Sequence, residues 1–218
     1  NLTIGDNTGQ NIDVSGSNTF LGHGSGSAFN ASSTGSYNTA VGAVSGYDVL
    51  GSYNTLLGYN AGGMNSVSGS NNILIGFQST TAALNSNNSI TLGSSSNTVL
   101  RCAVTSITSL SDERDKKDIE ELPVGLEFVE KLKPVKFVWN DREEEGKHDI
   151  EDFGFIAQDL KATQEESEAS YLNLVYESNP EKLEASYGKL LPILVKAIQE
   201  MSSEIKSLKE ELETLKNK

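Results

Sequence analysis

Gly35–Gly42 reads G-S-Y-N-T-A-V-G, and Gly51–Gly58 repeats it almost unchanged as G-S-Y-N-T-L-L-G. A phrase that recurs so soon points to a repeat fold, so the reading extends outward on both sides. Gly16–Gly22 (G-S-N-T-F-L-G) and Gly69–Gly76 (G-S-N-N-I-L-I-G) are further copies. Asn1–Gly5 (N-L-T-I-G) and Asn87–Gly93 (N-N-S-I-T-L-G) are weaker ones. The closing glycines, Gly5, Gly22, Gly42, Gly58, Gly76 and Gly93, lie 16–20 residues apart. Five copies carry a short β-like run: Thr19–Leu21, Thr39–Val41, Thr55–Leu57, Ile73–Ile75 and Ile90–Leu92. The flanking Gly and Asn tolerate the positive φ of tight turns. A lone three-residue strand buries too little apolar surface to fold, whereas stacked copies share one core. The pattern therefore predicts an all-β, solenoid-like stalk with the small apolar residues inside and Ser, Thr and Asn on its faces. Apolar residues in register argue against a free Gly/Ser linker.

Composition changes near residue 110. Residues 1–110 hold 16 of the 20 Gly, none of the 4 Pro, and four charged side chains, Asp6, Asp13, Asp48 and Arg101. Residues 111–218 hold the other 27 acidic and 16 basic side chains, so the net charge of −13 divides into −2 and −11. Two domains are expected, 1–110 and 111–218. The acidic balance disfavours a nucleic-acid partner, which needs Lys and Arg against phosphates. No apolar run approaches the roughly 18 residues of a membrane span, so no membrane insertion is expected. The opening at Asn1, without a leader pattern, reads as that of a fragment. A single Cys102 excludes an intrachain disulfide framework and a cysteine zinc site. No cofactor is implied, because the glycines repeat at the wrong spacing for a nucleotide loop. The charged stretch Asp141–Asp152 around His148 reads as a solvated loop rather than a metal site, and the lone His23 has no assigned role. Phe20, Phe29, Tyr37, Tyr47, Tyr53, Tyr59 and Phe77 read as packing between repeats, a carbohydrate-stacking surface being the alternative.

The second half predicts an α+β domain. Leu122, Leu126, Val129 and Leu132 mark an amphipathic helix that ends before Pro134. Val135, Phe137 and Trp139 alternate as a strand. Phe153–Ile156 reads as a second strand leading to a short helix near Ala157–Lys161. Glu165–Ser170 is a polar connector, Tyr171–Tyr176 a third strand, and Ser178–Pro180 a turn. The chain closes on a long helix over about 188–218. Leu191, Leu194, Ile198, Met201, Ile205, Leu208, Leu212 and Leu215 are spaced 3-4-3-4-3-4-3, which is a heptad seam. Mixed Ile and Leu at its a and d positions permit a trimer.

At the composition boundary stands S-D-E-R-D-K-K-D-I, Ser111–Ile119. Ser111 followed by two acids is a good helix N-cap. Ser111 and Lys116 also suit a nucleophile and its base, provided that Lys116 is neutral. Lowering a lysine pKa from ~10.4 to ~7.5 costs about 4 kcal/mol, so burial or a neighbouring cation such as Lys117 or Arg114 is needed. The two residues are about 140° apart on a helix and on opposite faces of a strand. They meet only if the segment turns, or if the lysine comes from another chain.

The N-T-x-[LV]-G cores resemble the head repeats of trimeric autotransporter adhesins, which implies that three chains build one stalk. Four ordered motifs carry a second resemblance: Ser111-Asp112-x-Arg114-x-Lys116, Lys133–Trp139 (K-P-V-K-F-V-W), Gly154–Leu160 (G-F-I-A-Q-D-L) and Tyr187–Met201 (Y-G-K-L-L-P-I-L-V-K-A-I-Q-E-M). Together they resemble the intramolecular chaperone domain of endosialidase-type phage tailspikes and tail fibres. That resemblance implies a homotrimeric, self-cleaving serine peptidase acting once. Ser111 is then the nucleophile, Lys116 the general base and Leu110–Ser111 the scissile bond, while Asp112 and Arg114 orient the site. Asp115 stands where the family often has an apolar residue, and its carboxylate would hold Lys116 protonated and slow the cut. The implied setting is a virion tail fibre, with the cleaved chaperone released in the host cytoplasm. The stalk's implied partner is a host surface glycan or protein. The alternative is a structural adhesin stalk whose C-terminal domain trimerises without cutting. A third reading, release of a membrane-tethered fragment, is disfavoured by the lack of a membrane span.

Overall fold

The computed structural model describes residues 1–11, 16–28, 35–63, 67–97, 99–104, 107–140 and 149–217. Asp13, Phe29 and the charged loop 141–148 with His148 lie outside these residues. Among the described residues the chain forms two compact units, one spanning Asn1–Arg101 and one holding Cys102–Asn140 and 149–217.

The first unit is a β-solenoid. Six strands, β1 (Leu2–Ile4), β2 (Thr19–Leu21), β3 (Thr39–Val41), β4 (Thr55–Leu57), β5 (Ile73–Ile75) and β6 (Ile90–Leu92), form one sheet in sequence order. Every pair is parallel and aligned residue for residue, as in Thr39↔Thr55 and Val41↔Leu57. Side chains alternate across a strand, and in β2–β5 the central residue of each points inward. Phe20, Ala40, Leu56 and Leu74 are buried, together with Val49, Ala61 and Val67. The flanking residues Leu2, Ile4, Leu21, Leu57, Ile73, Ile75, Ile90 and Leu92 are exposed. This corrects the expectation that the apolar set lies inside, since every strand but β3 also carries exposed apolar side chains.

Polar groups share the interior. Asn18, Asn38, Asn54 and Asn72 form a buried ladder just ahead of β2–β5. Each Nδ2 donates to a carbonyl of the following turn: Gly35, Gly51, Gly69 and Ser86. Each Oδ1 accepts a backbone N–H from the next turn, at Asn38, Asn54, Asn72 and Ser89. The ladder thus satisfies the backbone groups that the short strands leave unpaired. At the strand exits the turns approach too closely for any side chain. Gly42 has φ +129°, and a Cβ there would lie 2.4 Å from the Gly58 carbonyl oxygen.

The second unit is α+β. Helix α1 (Leu126–Lys131) is followed by the antiparallel hairpin β7 (Pro134–Val138) and β8 (Glu151–Phe155). Then come α2 (Ala157–Glu166), the pair β9 (Val175–Tyr176) and β10 (Glu184–Ala185), and α3 (Leu190–Lys216). Its core is Val124, Phe128, Ala169, Leu174, Leu190 and Ile193. Three elements differ from expectation. Helix α1 starts only after Pro123 and Gly125, leaving Leu122 outside it as a packed loop residue. Helix α2 runs on to Glu166, through the start of the expected connector. The expected strand Tyr171–Tyr176 is mostly turn, because Ser170–Leu172 is 3₁₀ and Asn173 takes φ +46°.

Helix α3 has two apolar faces. Leu190, Ile193 and Ala197 are buried within the unit, where α3 packs against α1. The heptad residues Leu191 to Leu215 are all exposed, between 40% for Leu194 and 68% for Leu215. Among the described residues no helix is long and apolar enough to cross a membrane.

Candidate functional site

The boundary segment folds into one tight turn. Asp112, in an extended conformation, caps the 3₁₀ turn Glu113–Asp115, its Oδ1 accepting the Arg114 N–H at 2.9 Å. The Arg114 guanidinium closes on the same carboxylate, Nε to Oδ1 at 2.9 Å and Nη2 to Oδ2 at 2.6 Å. This two-pronged pairing is the strong form of an arginine–carboxylate contact. The hydrogen bonds from Arg114 hold the Asp112 carboxyl below its usual range, and the guanidinium is raised in return. The cap therefore belongs to Asp112 rather than to Ser111, whose hydroxyl is left for another partner.

That partner is Lys116. The turn ends there, with the Lys116 N–H donating to the Glu113 carbonyl at 3.0 Å. Its Nζ swings back and donates to Ser111 Oγ at 2.7 Å and to the Ser111 carbonyl oxygen at 2.9 Å. Neither a helix nor a strand brings these two together, but one 3₁₀ turn does, within a single chain. The other expected neighbours are engaged elsewhere. Arg114 is held by Asp112, and Lys117 lies 3.9 Å from Asp118. Asp115 makes no ion pair with Lys116 among the described residues, so its carboxylate does not clamp the amine. Leu110, Ser111 and Lys116 are all exposed, Leu110 to 98%. In chemical terms the site holds a hydroxyl in contact with an amine, beside the exposed residue Leu110.

Residues 111–167 match the family described as chaperone of endosialidase. The family's name classes it as a peptidase, and its match opens on Ser111 itself. The match lies within the second unit, the chaperone unit, and runs from Ser111 to just past α2. Neither the curated proteins nor the solved structures gave a match to the chain. Within the chaperone unit, motifs far apart in sequence meet. The Tyr187 hydroxyl donates to the Phe155 carbonyl at 3.1 Å and accepts the Phe155 N–H at 3.2 Å. The two rings meet edge to face at 5.6 Å. Gly154 makes room, since a Cβ there would lie 2.8 Å from that hydroxyl.

Sequence reasoning missed two polar anchors. Glu200 on α3 accepts the Leu126 N–H at 2.7 Å and so caps α1 across 74 residues. Buried Gln164 accepts the Leu174 N–H at 3.0 Å. No spacing rule links such distant pairs. Among the described solenoid aromatics, Tyr37, Tyr53, Tyr59 and Phe77 are more than half exposed and stack in pairs on the surface. Tyr37 stacks on Tyr53 at 5.1 Å and Tyr59 on Phe77 at 5.7 Å, Phe20 lies in the core, and Tyr47 is half-buried.

Proposed function

We propose that this chain is the C-terminal part of a phage tail fibre or tailspike. Its chaperone unit trimerises the stalk and then releases itself by cutting Leu110–Ser111. Ser111 is the nucleophile, Lys116 the general base, and Asp112 with Arg114 shapes the turn that holds them. The observation that carries this reading is the 2.7 Å contact between Lys116 Nζ and Ser111 Oγ, at the first residue of the family match.

Exposed apolar surface supports a trimer. The heptad seam of α3 is uncovered while an adjoining face fills the unit's own core. The outward strand residues of the solenoid add a second apolar stripe, Ile4, Leu21, Leu57, Ile75 and Leu92. Patches of this kind mark association surfaces. In the single chain the dyad is open to water, and serine attack needs a neutral lysine. Burial favours that form, so the cut follows assembly. Near-identical repeats lose little by slipping one unit, and non-local pairing is slow. A trimerising domain sets chain number and register first, and removing it afterwards leaves a kinetically trapped fibre. The stalk remains in the virion to meet a host glycan or protein, and the acidic chaperone is released in the host cytoplasm.

Purified wild type should run as two fragments on a denaturing gel, the C-terminal one beginning at Ser111. The Ser111→Ala chain should remain one uncut trimer. Equal cutting of both chains would remove the dyad assignment, and an intact wild-type mass would favour the non-cutting adhesin.

A further inference from the structure

The residue two places ahead of each strand from β2 to β6 takes the left-handed conformation. These are Ser17 at φ +59°, Tyr37 at +60°, Tyr53 at +61°, Asn71 at +59° and Asn88 at +57°. In-register parallel pairing stacks the five into one column, rising about 4.8 Å per turn. From Tyr37 onward each backbone N–H donates to a carbonyl of the preceding turn, at Gly16, Ser36, Ser52 and Ser70, so the column is fixed along its length. Asparagine visits this conformation readily, whereas a bulky residue there is an outlier. Tyr37 and Tyr53 nonetheless occupy adjacent rungs. Their rings stack with centroids 5.1 Å apart and planes 3° apart, and they remain 57% and 61% exposed. Core packing does not account for two exposed rings on a costly backbone, and outliers of this kind point to function.

We propose that this column is a binding site for a neutral glycan, with Tyr37 and Tyr53 as its stacking platform and the amides of Asn71 and Asn88 as its polar shelf. The proposal deepens, and rests on, the reading of the stalk as the part that meets a host surface. Each ring covers its neighbour with one face only. The other face of Tyr53 looks along the column to the rung of Asn71, whose side chain is too short to cover it. That of Tyr37 looks to the rung of Ser17. A pyranose presents a side of weakly positive C–H groups, which suits the negative face of an aromatic ring. Its hydroxyls then lie at the ring's edge and need donors and acceptors. Asn71 Nδ2 donates to Asn88 Oδ1 at 2.8 Å. Asn71 Oδ1 and Asn88 Nδ2 have no partner among the described residues, and both side chains are exposed. One acceptor and one donor therefore stand beside the aromatic face, and an apolar platform with a few placed polar groups is the usual make-up of a ligand site. Charge selects the class of glycan. No residue of the column is charged, and no lysine or arginine occurs before Arg101, so nothing pairs with a carboxylate, sulfate or phosphate. The second stacked pair, Tyr59 and Phe77, differs. Neither residue has a positive φ, and the pair follows Leu57 and Ile75 of the stripe assigned to association.

The test labels the full chain with a fluorophore at Cys102, which is exposed and lies on the stalk side of the cut. Binding is read on an array of neutral hexose, 6-deoxyhexose and 2-acetamidohexose oligosaccharides, printed beside sialylated and sulfated ones. Binding confined to neutral glycans is the expected result. Tyr37→Asn and Tyr53→Asn install the residue that two other rungs already carry. Each should weaken binding by about tenfold or more, with no fall in the stalk's thermal midpoint, because asparagine relieves the costly backbone. Tyr53→Phe keeps the ring face and should bind within about threefold of wild type. Tyr59→Ser, on the other flank of the strands, should bind as wild type does. Binding to no neutral glycan, or to anionic glycans alone, overturns the proposal. So does undiminished binding in the asparagine variants, a loss that only accompanies unfolding of the stalk, or equal weakening by Tyr59→Ser. Trimer formation and cutting are read on the same samples. A chain that trimerises and cuts yet binds no neutral glycan fails this inference and leaves the tail-fibre reading standing, whereas one that binds without cutting fails only the self-cleavage reading.

Discussion

Lys116 donates to Ser111 Oγ across 2.7 Å because Asp112, one residue beyond the serine, caps a single 3₁₀ turn. The sequence separation is unsuited to helix or strand, so the contact exists only while that turn does. Chemistry at this site is therefore coupled to a local structure held by two exposed side chains, Asp112 and Arg114.

Lys116→Arg separates hydrogen bonding from base catalysis. Arginine keeps donors near Ser111 but cannot lose its proton in a protein. Losing a general base costs about 10²–10⁴ in rate. Lys116→Arg and Lys116→Ala should therefore slow cutting by that order in a refolding time course read on gels, with trimer formation unchanged. An arginine variant that cuts at the wild-type rate would remove Lys116 as base.

Asp112 gives the site a pH limit. Its folded pKa lies below the unfolded value because Arg114 hydrogen-bonds the carboxylate. Such a group contributes order that is fully present above its unfolded pKa of about 3.9 and lost as pH falls through the lower folded value. An NMR titration of the Asp112 carboxyl should give a midpoint below about 3.9, returning toward it in Arg114→Ala. Because the pair is exposed, Asp112→Asn should slow cutting only about two- to fivefold at neutral pH. Loss of all activity would instead give Asp112 a role in the chemistry.

The solenoid was legible because its strands are set by local repeats, and the runs read as Thr19–Leu21 through Ile90–Leu92 are the strands that form. The facing of Leu21 or Ile75 was not, since a single strand does not say which side its neighbours will cover. Asn38 and Asn54 read as turn residues, yet they are interior hydrogen-bond hubs, a role that appears only once turns stack. In the chaperone unit the seam of α3 was plain. Its second face, Leu190, Ile193 and Ala197, was hidden among similar apolar residues and is separated only by what α1 covers. The site residues were named by motif, but their contact depended on which residue, Ser111 or Asp112, took the cap.

Asn54→Ala tests the ladder. Asn54 Nδ2 donates to the Gly69 carbonyl and its Oδ1 accepts the Asn72 N–H, both at 3.0 Å. Truncation strands two buried backbone groups, at about 1–3 kcal/mol each. Urea unfolding of the stalk should show a loss of about 2–6 kcal/mol per chain by the same reckoning. Asn87→Ala, at an exposed residue that accepts the Ser70 N–H, should cost far less. Comparable losses for the two variants would argue against the ladder as an anchor.

The two faces of α3 should respond differently. Ile193 is 1% exposed in the unit's own core, whereas Ile205 is 49% exposed on the seam. Ile193→Ala should destabilise the chaperone unit by about 2–5 kcal/mol, seen as a lower thermal midpoint. Ile205→Asp should leave helicity by circular dichroism near wild type at low temperature, yet sediment as a monomer. A trimeric Ile205→Asp chain would mean that the seam is not the association surface.

Gly154 and Tyr187 form a testable lock between two of the sequence motifs. A Cβ at Gly154 would lie 2.8 Å from the Tyr187 hydroxyl, which itself bonds the Phe155 backbone in both directions. Gly154→Ala must push the ring away and should cost about 1–3 kcal/mol through overpacking. Tyr187→Phe loses the two hydrogen bonds but removes the atom that the new methyl would strike. The double variant should therefore be more stable than the sum of the single losses, with a coupling of about 0.5–3 kcal/mol, as neighbours in contact show. Denaturant unfolding of the four proteins in a mutant cycle measures it. Strict additivity would mean that the crowding at Gly154 is relieved without involving Tyr187, and that the contact between β8 and the turn before α3 is looser than its geometry indicates.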